Sequence, residues 1–144
     1  MMLVDANILI YAYHTGSPYH GRMKSWLDGT LNGVPKAGLP WASLLAFARI
    51  VTNPRVFEKP ATVDAAWTQV LDWTRAPAAW IPHPTEEHAE VIRRILRKVS
   101  VHANDIPDLH LAALAIEHGL RICSTDSGFS RYPDLRWVNP LVET

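Results

Sequence analysis

The sequence predicts a single α/β domain, a central and mostly parallel β-sheet flanked by helices on both faces, and three observations carry that expectation. The chain has 144 residues, the common size of one domain and too short for two ordinary ones. Short, continuously apolar runs (MLVDA, LRICSTD, LRWV) alternate with helical runs. Continuous rather than alternating apolarity marks strands buried on both faces, which is what a parallel sheet covered by crossover helices requires. Finally, there is no internal repeat, low-complexity tract or Gly/Ser linker, and the prolines stand singly between periodic segments, so residues 1–144 are expected to form one unit.

Each element follows in order. Met2, Leu3 and Val4 predict a short strand at the centre of the sheet, and from Asn7 to His14 the pattern turns helical. Ser17 and Pro18 offer an N-cap and first-turn proline for a second helix through Met23, Trp26 and Leu27, followed by a Gly/Asn/Pro loop. Trp41 to Val51 predicts an apolar helix bearing Arg49, stopped near Thr52, Asn53 and Pro54 because the residue before proline disfavours the helical region. Thr62 is the expected N-cap of an amphipathic helix to Thr74, with Ala66, Val70 and Trp73 at helical spacing. Trp80 and Ile81 suggest a brief strand. Thr85-Glu86-Glu87-His88 opens a helix with acids first and Arg93, Arg94, Arg97 and Lys98 toward its end, the polarity the macrodipole favours. Asp108 to His118 predicts a small-residue helix closed by Gly119, then the strand LRICSTD, and LRWV makes one more.

Formal charge is balanced, with 14 basic and 14 acidic residues, so there is no global footprint for nucleic acid and any such contact is local. No stretch approaches the roughly 20 apolar residues needed to span a bilayer. The start lacks a basic n-region and carries Asp5 inside its apolar segment, which predicts no secretory signal and a cytoplasmic location. The lone cysteine, Cys123, lies in an apolar run and reads as a small buried hydrophobe. The seven histidines show no H-x-x-x-H on one helix and no cysteine partners, which argues against zinc and for surface or loop positions.

In open parallel sheets ligands bind beyond the carboxyl ends of the strands. Asp5 ends the first strand, Asp126 ends LRICSTD, and Asp108 begins the helix that feeds into that strand. Clustered carboxylates with no His or Cys partner suit a hard divalent cation such as Mg²⁺. Phosphodiester hydrolysis needs a positioned water and an offset for phosphate charge, which such a cation supplies, singly or as a pair. Each acid also has a structural explanation: Asp5 as a helix cap, Asp108 as a first-turn acid, Asp126 as the start of an Asx turn with Ser127 and Gly128. From the residues alone, the metal-site and structural readings stay in balance. Arg49 is open between a phosphate contact and a structural ion pair.

The blocks DANILIYAY, GLPWASLLAFARIVTNPRVF, ANDIPDLHLAALAIEHG and STDSGFSRYPDLRWVNPL follow one another across almost the whole chain. In type, order and spacing they resemble a PIN-domain protein, specifically a VapC-type toxin of a bacterial toxin-antitoxin pair. The resemblance implies a PIN-like fold and Mg²⁺- or Mn²⁺-dependent endoribonuclease activity on tRNA or another structured RNA. It also implies homodimerisation, neutralisation by a VapB-type antitoxin, and contact with operator DNA only through that antitoxin. By position it assigns Asp5, Asp108 and Asp126 to metal and catalysis, and Asn7 and Thr125 as polar neighbours at the substrate. The chain departs from the pattern at Ala46, where many PIN nucleases carry glutamate, and at Gly128, where some relatives place a further acid. Asp105, one turn before Asp108, is the nearest carboxylate to make good that loss, against a structural reading as an N-cap ahead of Pro107. The alternative function is a catalytically impaired PIN domain acting as an antitoxin-binding regulatory module. Phosphatase chemistry on an Asp nucleophile fits poorly, because DANIL lacks a second aspartate two residues after the first.

Overall fold

The computed structural model describes residues 1–142; Glu143 and Thr144, the last of the predicted 1–144 span, lie outside the described residues. Five parallel strands form one sheet: β1 (Met2–Val4), β2 (Ala37–Gly38), β3 (Ala79–Trp80), β4 (Arg121–Cys123) and β5 (Trp137–Val138), in the order β3-β2-β1-β4-β5. The first strand is central, as its unbroken apolarity predicts. Between strands run α1 (Ala6–Tyr13), α2 (His20–Leu31), α3 (Trp41–Val51), α4 (Val63–Thr74), α5 (His88–Leu96) and α6 (Ile106–Glu117).

Because strand side chains alternate in direction, neighbours on β1 serve opposite cores. Val4 packs with Ile8, Leu9, Leu44, Phe47 and Val70 from α1, α3 and α4, whereas Leu3 packs with Val91, Ile95, Leu114, Ile122 and Phe129 beneath α5 and α6. Helices therefore cover both faces, and the sheet lies between two apolar layers.

The described structure corrects several boundaries. Ser17 does not cap α2; its Oγ accepts the Tyr19 N–H at 3.1 Å in a turn, and the helix begins at His20 without a side-chain cap. The expected Gly/Asn/Pro loop contains β2, whose two residues carry no strand-like pattern and are held only by their neighbours. A Cβ at Gly38 would lie 3.1 Å from Pro82 and 3.2 Å from the Met2 carbonyl oxygen, so the close approach of backbones there requires glycine. The β3 strand is Ala79–Trp80 rather than Trp80–Ile81. Thr85 does not open α5, because its N–H and hydroxyl both donate to Glu117 Oε1, at 2.8 and 3.0 Å, and helix starts at His88. The α6 helix begins at Ile106 rather than Asp108, since Pro107 fits the first turn, where no N–H is needed. Gly119 closes it at φ 66°, the left-handed conformation expected of a C-cap glycine.

Candidate active site

The chain runs from β1 to β2 on one side, and β4 lies on the other side of β1, so the topological switch point falls between β1 and β4. Crevices at such points collect ligands in open α/β sheets. In-register pairing of Val4 with Cys123 brings Asp5 and Ser124 out side by side at this carboxyl edge, and the Asp5 N–H donates to the Cys123 carbonyl at 3.0 Å.

Asp5 is only 8% exposed and accepts a hydrogen bond at both oxygens. Its Oδ1 accepts the Ala6 N–H at 2.7 Å, while Oδ2 accepts the Ser124 hydroxyl at 2.7 Å and the Asn7 amide at 3.2 Å. Asp5 thus does cap α1, and the same bonds fix its carboxylate at the strand end. Ser124, which sequence reasoning missed, is the hub: fully buried, its Oγ also accepts from Asn7 Nδ2 and the Asp126 N–H, both at 3.0 Å. Its signal was faint, a lone hydroxyl between an apolar strand and an acid. Asn7 closes the frame by accepting the Thr125 N–H at 3.2 Å, so its amide holds the β1 and β4 exits together. Thr125 joins through its backbone. Asp126 forms the expected Asx turn, accepting the Gly128 N–H at 2.8 Å, and stands exposed.

Asp108 lies in the first turn of α6, half-buried, and the charges of Asp5, Asp126 and Asp105 all act on it. Burial first, then those three carboxylates in that order, lifts its pKa from 3.8 to about 6, with Arg131 pulling the other way. Burial likewise raises Asp5, with the Ser124 and Ala6 bonds opposing and Asp126 adding to the rise. The predicted acids are therefore brought to one edge. Among the described residues, no three His, Cys, Asp or Glu side chains stand close enough to enclose a metal ion. The donor chemistry nevertheless fits a hard divalent cation: oxygen ligands only, and carboxylates whose mutual repulsion Arg131 offsets only in part.

Asp105 sits at the start of α6 without capping it; its Oδ2 accepts the His102 N–H at 3.0 Å and pairs with Arg131 at 3.2 Å. Arg49 is exposed on α3 and forms no ion pair among the described residues, which removes the structural ion pair expected as one option. Ala46 is half-buried on the same helix. Cys123 is buried, as read from the sequence.

The PIN domain family pattern matches residues 2–135. The chain is 46% identical over 140 residues to Ribonuclease VapC37 of Mycobacterium tuberculosis, covering 97% of each. The chain belongs to the PIN-domain family, among its VapC proteins. A second VapC relative, Ribonuclease VapC43 of M. tuberculosis, is 39% identical over 141 residues, covering 98% of this chain and 96% of that protein. Two solved structures share the PIN fold at low identity. VapBC2 from Rickettsia felis bound to a promoter DNA fragment superposes at a TM-score of 0.69 with 13% identity, covering 96% of this chain and 97% of that one. FitAcB from Neisseria gonorrhoeae gives 0.68 and 18%, covering 99% and 100%.

One expectation for this PIN domain needs correction away from the acids. The histidines are not all at the surface: His88 and His110 are half-buried, bond to each other at 3.0 Å, and His88 Nδ1 bonds the buried Glu117 carboxylate. Burial and then His88 hold the His110 pKa below its ordinary value. No helix among the described residues is long and apolar enough to cross a membrane.

Proposed function

We propose that this chain is the toxin of a type II toxin-antitoxin system, a Mg²⁺-dependent endoribonuclease, with Mn²⁺ as the alternative ion. The observation that carries the reading is the gathering of Asp5, Asp108 and Asp126 at the switch point of a sheet whose VapC relatives are named ribonucleases. These three carboxylates are the proposed ligands, with Asp105 the fourth acid in range. When bound, the cation supplies an activated water and an offset for phosphate charge. The protein's own part is orientation. Ser124 and Asn7 fix the Asp5 carboxylate, the Asx turn fixes Asp126, and the first turn of α6 holds Asp108 against the other two. Asn7 and Thr125 act by positioning, and Arg49, without an ion pair among the described residues, is a cation available to RNA.

The partner reading follows the fold neighbours, which were solved as VapBC2 and FitAcB assemblies. A VapB-type antitoxin is the proposed inhibitor, reaching operator DNA on the toxin's behalf, with a toxin homodimer at the centre and tRNA as the proposed RNA class. The site of action is the cytoplasm, where that RNA is found.

Ala46 favours a second reading, an impaired domain that serves as an antitoxin-binding module, because α3 brings no carboxylate to the edge. Cleavage of total small RNA in EDTA, Mg²⁺ and Mn²⁺ decides between them, with Asp5→Asn and Asp108→Asn in parallel. Ion-dependent cuts at defined positions, absent from both variants, are the expected result. A folded parent that leaves RNA intact in both ions makes the binding module the better reading.

A further inference from the structure

Among the described residues one cation acts on the acid cluster at Asp108. Arg131 ends the 3-10 turn Ser127–Arg131, which starts immediately after Asp126. Its Nη2 lies 3.2 Å from Asp105 Oδ2 and donates to Tyr132 Oη at 3.1 Å, and its guanidinium carbon stands 5.1 Å from the centre of the Tyr132 ring. That ring is 2% exposed and packs near Phe129, with centroids 6.1 Å apart, so the platform under the guanidinium is fixed. Asp105 is fixed as well, by the His102 N–H at 3.0 Å. Both partners hold Nη2, and among the described residues the remaining guanidinium nitrogens make no hydrogen bond. The Arg131 side chain is 37% exposed.

We propose that Arg131 is a substrate-positioning residue that receives a backbone phosphate of the RNA, and that Asp105 and Tyr132 hold it beside Asp108 until the substrate arrives. The proposal rests on the nuclease reading and adds to it. A guanidinium presents parallel N–H donors that match two phosphate oxygens, where an ammonium offers only a point charge. Left alone beside three carboxylates, it would fold onto Asp108 or Asp126 and occupy the oxygens a cation needs. Asp105 takes that role instead, which keeps the inner carboxylates clear and presents the unused N–H groups to solvent. A purely structural role, tying the turn after Asp126 to the turn before α6, is the competing account. Exposed pairs of this kind contribute little to stability.

The test is binding of fluorescently labelled bulk tRNA to the full chain, in EDTA and in Ca²⁺, across a salt series, with thermal unfolding of every variant. Arg131→Ala is expected to weaken binding about tenfold and to lower the slope of log K against log salt by about 0.7, the loss of one phosphate contact. Arg131→Lys should recover part of the affinity. Asp105→Asn should keep the parent's melting temperature and bind more weakly, because the released guanidinium then turns onto Asp108 or Asp126. Arg131→Ala binding like the parent overturns the proposal and leaves the nuclease reading intact. Equal losses of affinity and melting temperature in Arg131→Ala and Asp105→Asn overturn it in favour of the structural tie. A parent that binds no tRNA in either condition overturns both.

Discussion

Replacing Asp108 by asparagine tests the electrostatics of the acidic edge without changing its shape. Among the described residues the Asp108 side chain makes no hydrogen bond, so the substitution removes a charge and little else. Its pKa rises from 3.8 to about 6 on folding, and 1.36 kcal/mol per pH unit makes that roughly 3 kcal/mol between the charged and neutral forms. The side chain is only half-buried, and solvent screening reduces the figure to about 1.5 kcal/mol. An acid whose folded pKa lies above its unfolded one stabilises the fold fully below the unfolded value and loses that contribution as pH rises through the folded value. The window here runs from about pH 4 to about pH 6, set by those two values. In EDTA at pH 4 the parent and Asp108→Asn should therefore unfold alike. By pH 7.5 the variant should be the more stable by about 1.5 kcal/mol, about 6 °C in melting temperature for a chain of this size. Magnesium offsets more acidic charge in the parent than in the variant, and at pH 7.5 it should narrow or reverse the gap. Melting curves of the two proteins at pH 4, 6 and 7.5, in EDTA and in Mg²⁺, read this directly. An Asp108→Asn protein no more stable than the parent in EDTA at pH 7.5 refutes the claim that burial and the neighbouring carboxylates disfavour the charged form of Asp108.

Ser124→Ala removes the hydroxyl that bonds Asp5, Asn7 and the Asp126 N–H, and should destabilise the fold by about 2–3 kcal/mol in urea unfolding. Loss below about 0.5 kcal/mol would show that the hub is dispensable. Glu117→Ala strips the buried partner of His88 and Thr85, for which chemical denaturation should report about 2–4 kcal/mol with RNA cleavage sites unchanged in the surviving folded fraction. Ala46→Glu adds a carboxylate on α3 and should tighten Mg²⁺ binding, measured by calorimetry, while lowering melting temperature in EDTA; an unchanged affinity would place Ala46 away from the ion.

The acids were readable one at a time because each occupies a place that local rules recognise. Asp5 follows an apolar strand and caps the next helix, and Asp126 precedes Ser127 and Gly128 in a turn whose Asx bond depends on the next two residues. The Trp41–Val51 helix and the Gly119 cap were legible for the same reason, as periodicity and left-handed φ are settled within a few residues. Whether the acids share a site was not legible. Their joint placement depends on β4 pairing with β1, a contact between segments 117 residues apart at the Asn7–Ser124 bond.

By itself, then, the sequence determined the helices, the central strand and the identity of the acids, since spacing, caps and burial patterns act over short stretches of chain. Only the tertiary structure decided the strand order, the pairing of the two-residue β2, the Ser124 hub, the Glu117–His88–His110 chain and the Asp105–Arg131 pair. Each of these joins groups that local rules leave free, and each exists because strand register and helix packing bring distant backbone to the same place.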